Sequence, residues 1–233
     1  LAPPNSVLKT SSGKIRRSAS RDAFEHGLIG AGRVPVRLQL LRLAVAALRA
    51  RLAESVLRVA RGAYGAWCWT VFTLLAIPVS GLVVALRAPP IGRRVVHHAA
   101  RIFLFLAGMP VPRTATAKLP SSPHLLLVNH CSYLDALALC ASLPPAQAYS
   151  FVAKREFVGQ PAVHAFLRAL GTLFVERFEA SKSAEDVGEI VAALGRGQNL
   201  VIFPEGTFSR AAGLKPFRMG AFVSAVRAHV PVL

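Results

Sequence analysis

Residues 125–143 read LLLVNHCSYLDALALCASL, and this stretch decides the fold. The apolar run LLLVN (125–129) predicts a short buried strand. The segment from Tyr133 to Leu143 predicts a helix. A short polar turn therefore joins a buried strand to a helix.

The same alternation continues to the end of the chain. Three further apolar runs predict strands: SFVAK (150–154), TLFVE (172–176) and NLVIF (199–203). Three helices are predicted between or after them: Gln160 to Leu170, ended by Gly171; Ser183 to Leu194, opened by a capping box; and Phe217 to His229. Short strands alternating with helices are typical of a parallel sheet with helices on its faces.

The charge is uneven along the chain. The net charge is +17, and residues 1–101 carry 16 Lys or Arg against 3 Asp or Glu. From Arg33 to Arg61 there are seven arginines, one acid and no aromatic residue. Single-strand nucleic-acid binders interleave aromatic and basic side chains, whereas a basic helix rich in aliphatic residues is typical of a membrane surface. We favour a membrane surface, with a solvated linker helix as the alternative, and expect no nucleic-acid partner.

Residues 62–86 contain no charged side chain. As one helix they would be about 37 Å long, against about 30 Å for the hydrocarbon core of a bilayer. Pro78 and Gly81 interrupt the run, and arginines flank it on both sides. A membrane span, a re-entrant or interfacial hairpin and a buried core helix all remain open. The second apolar run, residues 102–112, is too short to span.

Two titratable residues follow the first predicted strand. His130 lies just beyond its carboxyl end, where open α/β sheets bind ligands, and Asp135 comes five residues later. On one continuous helix the two side chains would point about 140° apart, but a histidine in the preceding turn can meet an aspartate on the first helical turn. Such a carboxylate orients the imidazole as a general base. The pattern equally fits a helix cap with an aspartate favoured by the helix dipole.

Two more polar motifs follow later strands. In Phe203-Pro-Glu-Gly-Thr-Phe-Ser-Arg210, Gly206 permits a tight turn that can present N–H groups and a hydroxyl to an anion. Glu205 would accept a hydrogen bond from a substrate hydroxyl or position a neighbour. In Gly171-Thr-Leu-Phe-Val-Glu-Arg177 an arginine ends a strand, which suits phosphate binding. An ordinary turn and a surface arginine are the alternatives.

The motifs NHxxxxD (129–135), GxxFVxR (171–177) and FPEGT (203–207), in this order, resemble those of the glycerolipid acyltransferases, the family that includes lysophosphatidic acid acyltransferase. The segment Lys215-Pro-Phe-Arg-Met-Gly-Ala-Phe222 resembles the basic segment after the third motif. One departure is Phe208, because the family often has a basic residue directly after the threonine.

The resemblance implies that His130 is the general base, oriented by Asp135, and that an acceptor hydroxyl attacks an acyl thioester directly. Cys131 and Ser132 are then bystanders. It implies substrate-binding roles for further residues: Gly171, Phe174, Arg177, Glu205, Gly206, Thr207, Arg210 and Lys215. We expect no cofactor and no metal site, with acyl-CoA or acyl-carrier protein as the acyl donor.

The amino-terminal segment has a resemblance of its own. Leu8-Lys-Thr-Ser-Ser-Gly-Lys-Ile-Arg-Arg17 resembles the C-terminal signature of adenylate-forming enzymes, the acyl-CoA synthetase superfamily. In that family the lysine after the glycine, here Lys14, approaches the carboxylate and phosphate of the adenylate. A basic, serine-rich tail is the alternative. The resemblance implies an upstream adenylate-forming domain in the same parent chain.

We therefore expect an α/β fold, a mostly parallel sheet covered by helices, preceded by hydrophobic membrane-associated helices. Since the chain starts without Met and stops just after Val-Pro-Val, we expect a piece of a fusion protein. Its expected parts are the remnant of an adenylate-forming domain (1–25), a basic helical linker (26–61), a hydrophobic membrane-associated segment (62–112) and an acyltransferase domain truncated at its C-terminus (113–233).

The expected function is that of a membrane-associated acyltransferase. It would move a fatty acyl group from a thioester to the hydroxyl of a lysophospholipid or glycerol phosphate, in phospholipid biosynthesis or remodelling. The alternative is a catalytically impaired anchoring or docking segment of a fused fatty-acid-activating enzyme. We expect an inner or cytoplasmic membrane, with the active site on its cytoplasmic face.

Overall fold

The computed structural model describes residues 7–27, 36–112, 119–121, 123–176, 183–207 and 213–233. The chain divides into two compact units, Leu1–Ala63 and Tyr64–Leu233. The boundary falls within one long helix, α2 (Val36–Leu86).

The first unit contains a small hairpin and helix α1 (Arg17–Glu25). Lys9 and Ile15 pair in an antiparallel bridge. In the turn between them Gly13 has φ +79°, a left-handed conformation that glycine adopts at little cost. The N–H of Thr10 donates to the carbonyl of Lys14 over 2.8 Å. Lys14 is therefore held at the end of a tight turn.

Helix α2 continues unbroken through the uncharged run to Leu86. Pro78 and Gly81, which were expected to interrupt this run, lie inside the helix. Within the described residues, Leu40–Leu86 is the helical stretch long and apolar enough to cross a membrane, and an 18-residue window within it has a mean hydropathy of 2.1. Length and composition thus mark it as a candidate span.

In the second unit, helix α3 (Pro89–Leu106) turns back and packs against α2. Phe72 and Phe103 meet edge to face, with ring centroids 5.6 Å apart. The hydroxyl of Tyr64 donates to the carbonyl of Ala107 over 2.7 Å, and the indole N–H of Trp67 donates to the carbonyl of Leu106 over 3.0 Å. Side chains of α2 thus satisfy carbonyls that the end of α3 leaves without helical partners.

The sheet lies in the second unit. Its strands are β1 (Leu125–Leu127), β2 (Tyr149–Lys154), β3 (Leu173–Val175) and β4 (Asn199–Ile202). They are all parallel and lie in the order β1-β4-β2-β3, so the expected parallel sheet is confirmed. Along the edge of β1 away from β4, the N–H of Leu125 donates to the carbonyl of Pro231, and that of Leu233 donates to the carbonyl of Leu125.

Helices cover the sheet, as expected. They are α4 (Asp135–Ser142), α5 (Pro161–Ala169), α6 (Ser183–Gly195) and α7 (Gly220–Ala228). Leu194 of α6 and Ala225 of α7 pack with the fully buried Leu125 and Leu200 in one apolar core. Because side chains alternate along a strand, this core fixes which face of β1 and β4 points inward.

One face of α3 anchors the elements around it. Arg93, His97 and Arg101 follow one another at the four-residue spacing that places side chains on one side of a helix. Arg93 donates to the carbonyl of Leu170 over 2.9 Å, before β3. Nδ1 of His97 lies 2.8 Å from the carbonyl of Cys140, and Arg101 donates to that of Ala141, both near the end of α4. The helix hairpin thereby holds the sheet and α4 in place.

Gly171 has a structural reason to be glycine. It precedes β3 at the amino edge of the sheet with φ +81°, and a Cβ there would lie 3.2 Å from Nη1 of Arg93. An L side chain in this conformation costs about 1–2 kcal/mol. The turn and the contact with α3 both depend on the missing side chain.

Gly171→Ala should lower the stability of the second unit by about 1–2 kcal/mol, because of the positive φ. The matched control is Gly188→Ala in α6, where a Cβ would meet nothing within 4 Å. That change should raise stability by about 0.5–1 kcal/mol. Thermal unfolding in detergent measures both, and a Gly171→Ala protein as stable as the native chain would contradict the argument.

Candidate active site

The pairing of β1 with β4 assembles the site. Leu127 is in register with Ile202, and the N–H of Val128 donates to the carbonyl of Ile202 over 3.1 Å. Both strands run in the same direction, so the residues after them emerge side by side at the carboxyl edge of the sheet. This brings His130 next to Glu205, although 75 residues separate them in the chain.

His130 and Asp135 form the predicted pair. Nδ1 of His130 lies 2.8 Å from Oδ2 of Asp135, which is the first residue of α4. The same oxygen accepts the backbone N–H groups of Cys131 and Ser132 over 2.7 and 2.8 Å. The histidine therefore lies in the turn before the helix, and the aspartate reaches back from the first helical turn.

The surroundings of Asp135 set the protonation of the pair. Burial raises the pKa of its carboxyl, but hydrogen bonds from the imidazole and two backbone N–H groups outweigh this and hold the pKa below its usual value. An ionised carboxylate can only accept hydrogen bonds, so Nδ1 of His130 carries a proton. In the neutral ring, Nε2 is then the basic nitrogen.

Phe203 fixes the plane of the imidazole. Its buried ring stacks on that of His130, with centroids 4.3 Å apart and an angle of 22° between the planes. Phe203 directly follows β4, so the strand that carries Glu205 also supports the histidine ring. This residue was not among those predicted from the sequence, although it stands inside the FPEGT motif.

Glu205 braces the backbone of the site. It is buried, its Oε1 accepts the N–H of His130 over 2.8 Å, and its Oε2 accepts the N–H of Lys215 over 3.1 Å. The backbone N–H of His130, and after it that of Lys215, hold the pKa of Glu205 below its usual value. Of the two roles considered for Glu205, the geometry matches that of positioning a neighbour.

The turn after Glu205 is flanked by cations. Gly206 has φ +77°, and a Cβ there would lie 2.9 Å from Nε of Arg218. Nζ of Lys215 donates to the hydroxyl of Thr207 over 3.1 Å. The N–H of Arg218 donates to the carbonyl of Pro204 over 2.9 Å, and α7 begins only at Gly220, later than predicted. Arg218 was missed as a site residue, although it stands in the basic segment after the motif.

The remaining predicted binding residues are not all brought together. Gly171 lies at the amino edge of the sheet, opposite to the His130 edge. Phe174, in the middle of β3, contacts the ring of His164, with centroids 5.1 Å apart. Arg177 and Arg210, and with them Phe208, lie outside the described residues.

Lys154 is a cation at this edge of the sheet that was not among the residues predicted from the sequence. It ends β2, and β2 lies next to β4 at the centre of the sheet. This position could be predicted from the sequence, because Lys154 ends the apolar run SFVAK. The motifs of the site likewise stand at the ends of the other apolar runs.

The cysteines of this unit differ in their surroundings. The Cys131 thiol is exposed next to His130, and Nδ2 of Asn129 lies 3.0 Å from its sulfur. Burial raises the pKa of Cys140 to about 12, so its thiol stays protonated near neutral pH. Ser132 uses its hydroxyl to accept the N–H of Leu134 over 3.1 Å. Cys131 and Ser132 contact the His130–Asp135 pair through their backbone N–H groups, which donate to Asp135.

The family model called Acyltransferase matches residues 111–233, which is more than half of the chain. The chain belongs to this acyltransferase family. The family expected from the three motifs is therefore confirmed, and the His130–Asp135 pair and the Glu205 turn both lie within the matched residues.

Among similar proteins is a 1-acyl-sn-glycerol-3-phosphate acyltransferase of Neisseria gonorrhoeae, 36% identical over 129 residues, which are 54% of this chain and 47% of that protein. The human 1-acyl-sn-glycerol-3-phosphate acyltransferase alpha is 30% identical over 115 residues, 49% of this chain and 40% of that protein. The chain thus spans less than half the length of these relatives.

A solved structure shares the fold. The 1-acyl-sn-glycerophosphate (LPA) acyltransferase PlsC from Thermotoga maritima superposes with a TM-score of 0.54, over 75% of this chain and 73% of that chain. The sequence identity is 18%. This likeness confirms the predicted fold class, with a mostly parallel sheet and helices around it.

Glu205→Gln should lower the melting temperature at pH 7, because an amide nitrogen cannot accept one of the two N–H groups. Because the pKa of Glu205 is lowered in the folded chain, its ionised carboxylate stabilises the fold at pH values above the usual carboxyl range. This stabilisation is lost as the pH falls through the lowered pKa. The difference in melting temperature between native and variant chains should therefore shrink in acid.

Thermal unfolding in detergent across acid and neutral pH measures this difference. The matched control is Glu189→Gln, at an exposed ion pair of 4.0 Å with Arg155, which should change little at any pH. A Glu205→Gln difference that does not depend on pH would contradict the role of the ionised carboxylate.

Proposed function

We propose that this chain transfers a fatty acyl group from an acyl thioester to the hydroxyl of a glycerol phosphate or lysophospholipid. The observation that carries the proposal is the His130–Asp135 hydrogen bond of 2.8 Å, at the carboxyl edge of a parallel sheet in a chain of the acyltransferase family. The names of the relatives support this class of acceptor.

The residues support a direct transfer. Nε2 of His130 takes the proton of the acceptor hydroxyl as its oxygen attacks the thioester carbonyl carbon. A carbon–oxygen bond forms and the carbon–sulfur bond breaks. The imidazolium then returns the proton to the leaving thiolate. Asp135, held ionised, stabilises the imidazolium during this step.

Cations near the turn fit a phosphate on the acceptor. Lys215 lies against Thr207, and Arg218 lies against Gly206, so positive charge gathers on one side of the site. Lys154 ends the neighbouring strand β2 at the same edge of the sheet. Arginine and lysine side chains bind phosphate by charge-assisted hydrogen bonds.

The finer parts of the proposal rest on the sequence. We infer that the donor is an acyl-CoA or acyl-carrier protein, without a cofactor, and that the reaction takes place at the cytoplasmic face of an inner or cytoplasmic membrane. The candidate span Leu40–Leu86 supports a membrane location. An adenylate-forming domain upstream would supply the activated acyl group, a proposal that the exposed Lys14 at the tight hairpin turn supports.

His130→Ala should reduce acyl transfer by about 10²–10⁴-fold, the contribution typical of a general base. Cys131→Ala is the matched control, because it changes the adjacent exposed thiol and leaves the backbone N–H that Asp135 accepts. It should keep the native rate within a few-fold. Membranes carrying each chain are given a labelled acyl thioester and a panel of lysophospholipids and glycerol 3-phosphate.

Three results of this assay would change the conclusion. Full activity in His130→Ala would overturn the general base. Loss of activity only in Cys131→Ala would instead indicate a thiol nucleophile. No transfer by the native chain from either acyl-CoA or acyl-carrier protein would favour the docking segment.

Lys215→Met should raise the KM for a phosphate-bearing acceptor by about tenfold, the loss expected for one charged hydrogen bond. The brace by Glu205 uses only the backbone N–H of residue 215, so this change removes the charge and keeps the brace. The kcat and the KM for a neutral monoacylglycerol should change little. Lys9→Met, in the hairpin of the first unit, is the control, and an equal rise of KM for both acceptors would contradict a phosphate contact.

A further inference from the structure

The first half of α2 carries a continuous apolar stripe. At about 100° per residue, its members lie within about 80° of one another around the helix. All of them are exposed, from 40% for Val45 to 72% for Val59. The stripe consists of Leu38, Leu41, Val45, Leu48, Leu52, Val56 and Val59.

Arginines border this stripe on both sides. By the same angular spacing, Arg42 and Arg49 lie along one edge, while Arg37 and Arg51 lie toward the other. On the face opposite the stripe, Arg58 donates to Glu54 over 3.0 Å, an exposed pair four residues apart. The other residues of that face are mixed and include Leu40, Leu43, Ala46, Ala47, Ala50, Leu57 and Arg61.

We propose that residues 36–61 bind an anionic lipid surface, with the helix axis in the membrane plane. The leucines and valines of the stripe enter the boundary between headgroups and acyl chains. The arginines at both edges extend their apolar stems along it and place their guanidinium groups at the lipid phosphates.

The positions of the arginines favour a lipid surface over a second copy of this chain as the binding partner. In a helix pair joined through the stripe, parallel or antiparallel, the edges would bring arginine against arginine. Like charges at such positions destabilise helix pairing. An anionic surface instead meets both edges with the opposite charge.

The adjacent residues 62–86 favour a lipid surface over an acidic protein as the binding partner. The same helix continues from residue 62 to residue 86 without a charged side chain, and such an apolar continuation suits a lipid surface and not an acidic protein surface. Because α2 is unbroken, an orientation in the membrane plane is the alternative to the bilayer crossing that the length and composition of Leu40–Leu86 permit. The inference concerns binding alone and does not depend on acyl transfer.

Nitroxide labels on the full chain test the orientation. Leu52→Cys lies in the stripe, and Ala50→Cys lies on the opposite face, about 160° away. Both are made in a chain whose cysteines, Cys68, Cys131 and Cys140, are replaced by alanine. The chain is reconstituted in vesicles of phosphatidylcholine alone or mixed equally with phosphatidylglycerol.

On the anionic vesicles the label at residue 52 should be accessible to oxygen and shielded from a water-soluble nickel chelate, while the label at residue 50 shows the reverse. Substituting Arg37, Arg42, Arg49 and Arg51 by Gln should reduce the shielding at residue 52 by about tenfold or more. Added salt should also reduce the shielding of the label at residue 52, because it screens the attraction between arginines and lipid phosphates.

Four outcomes would overturn the proposal. They are a residue-52 label open to the chelate on anionic vesicles, equal accessibility at residues 50 and 52, equal shielding on neutral and anionic vesicles, and dipolar broadening between residue-52 labels of two chains. The first favours an acidic protein partner or a solvated helix, and the last favours a second copy of the chain.

Discussion

The site depends on one carboxylate that is not part of the proposed chemistry. Glu205 accepts the N–H of His130 with one oxygen and the N–H of Lys215 with the other. It thereby ties the turn after β1, the turn after β4 and the basic segment before α7 into one unit. A buried carboxylate is tolerated there because charge-assisted hydrogen bonds replace its water. The position of the imidazole, its stacking on Phe203 and the cations at the turn all follow from this bridge.

A second constraint acts from the other side of α4. Asp135 begins this helix, and the carbonyls near its end are held by His97 and Arg101 of α3. Arg93 of the same helix holds the chain just before β3. The two-helix hairpin formed by α3 and the second part of α2 is thus continuous, through packing and hydrogen bonds, with the helix that orients His130. Separating the apolar helices from the sheet would remove support from the site, and not only an attachment to lipid.

The strands were predictable because each is a short apolar run ended by polar residues, and the four runs match β1 to β4 to within two residues at either end. The order of the strands in the sheet was not predictable, since the residue pattern of one strand does not say which strand lies beside it. Pro78 stays inside α2, so the proline removes one helical hydrogen bond but does not end the helix. The pairing of His130 with Asp135 was predictable from their spacing. A positioning role for Glu205 was one of two expectations, but its two partners were not predictable, because backbone N–H groups leave no mark in a sequence. Arg218 and Phe203 were missed for a similar reason, since only the fold brings them to the turn and to the ring.

The thiol of Cys131 is exposed one residue from the imidazole. An alkylating reagent bound to it would add bulk beside the proposed general base. Inactivation by such a reagent would therefore not by itself be evidence of a covalent acyl-enzyme. The same proximity makes the cysteine a point of attachment for electrophilic inhibitors, which under the proposed direct transfer would block a reaction that does not use the sulfur.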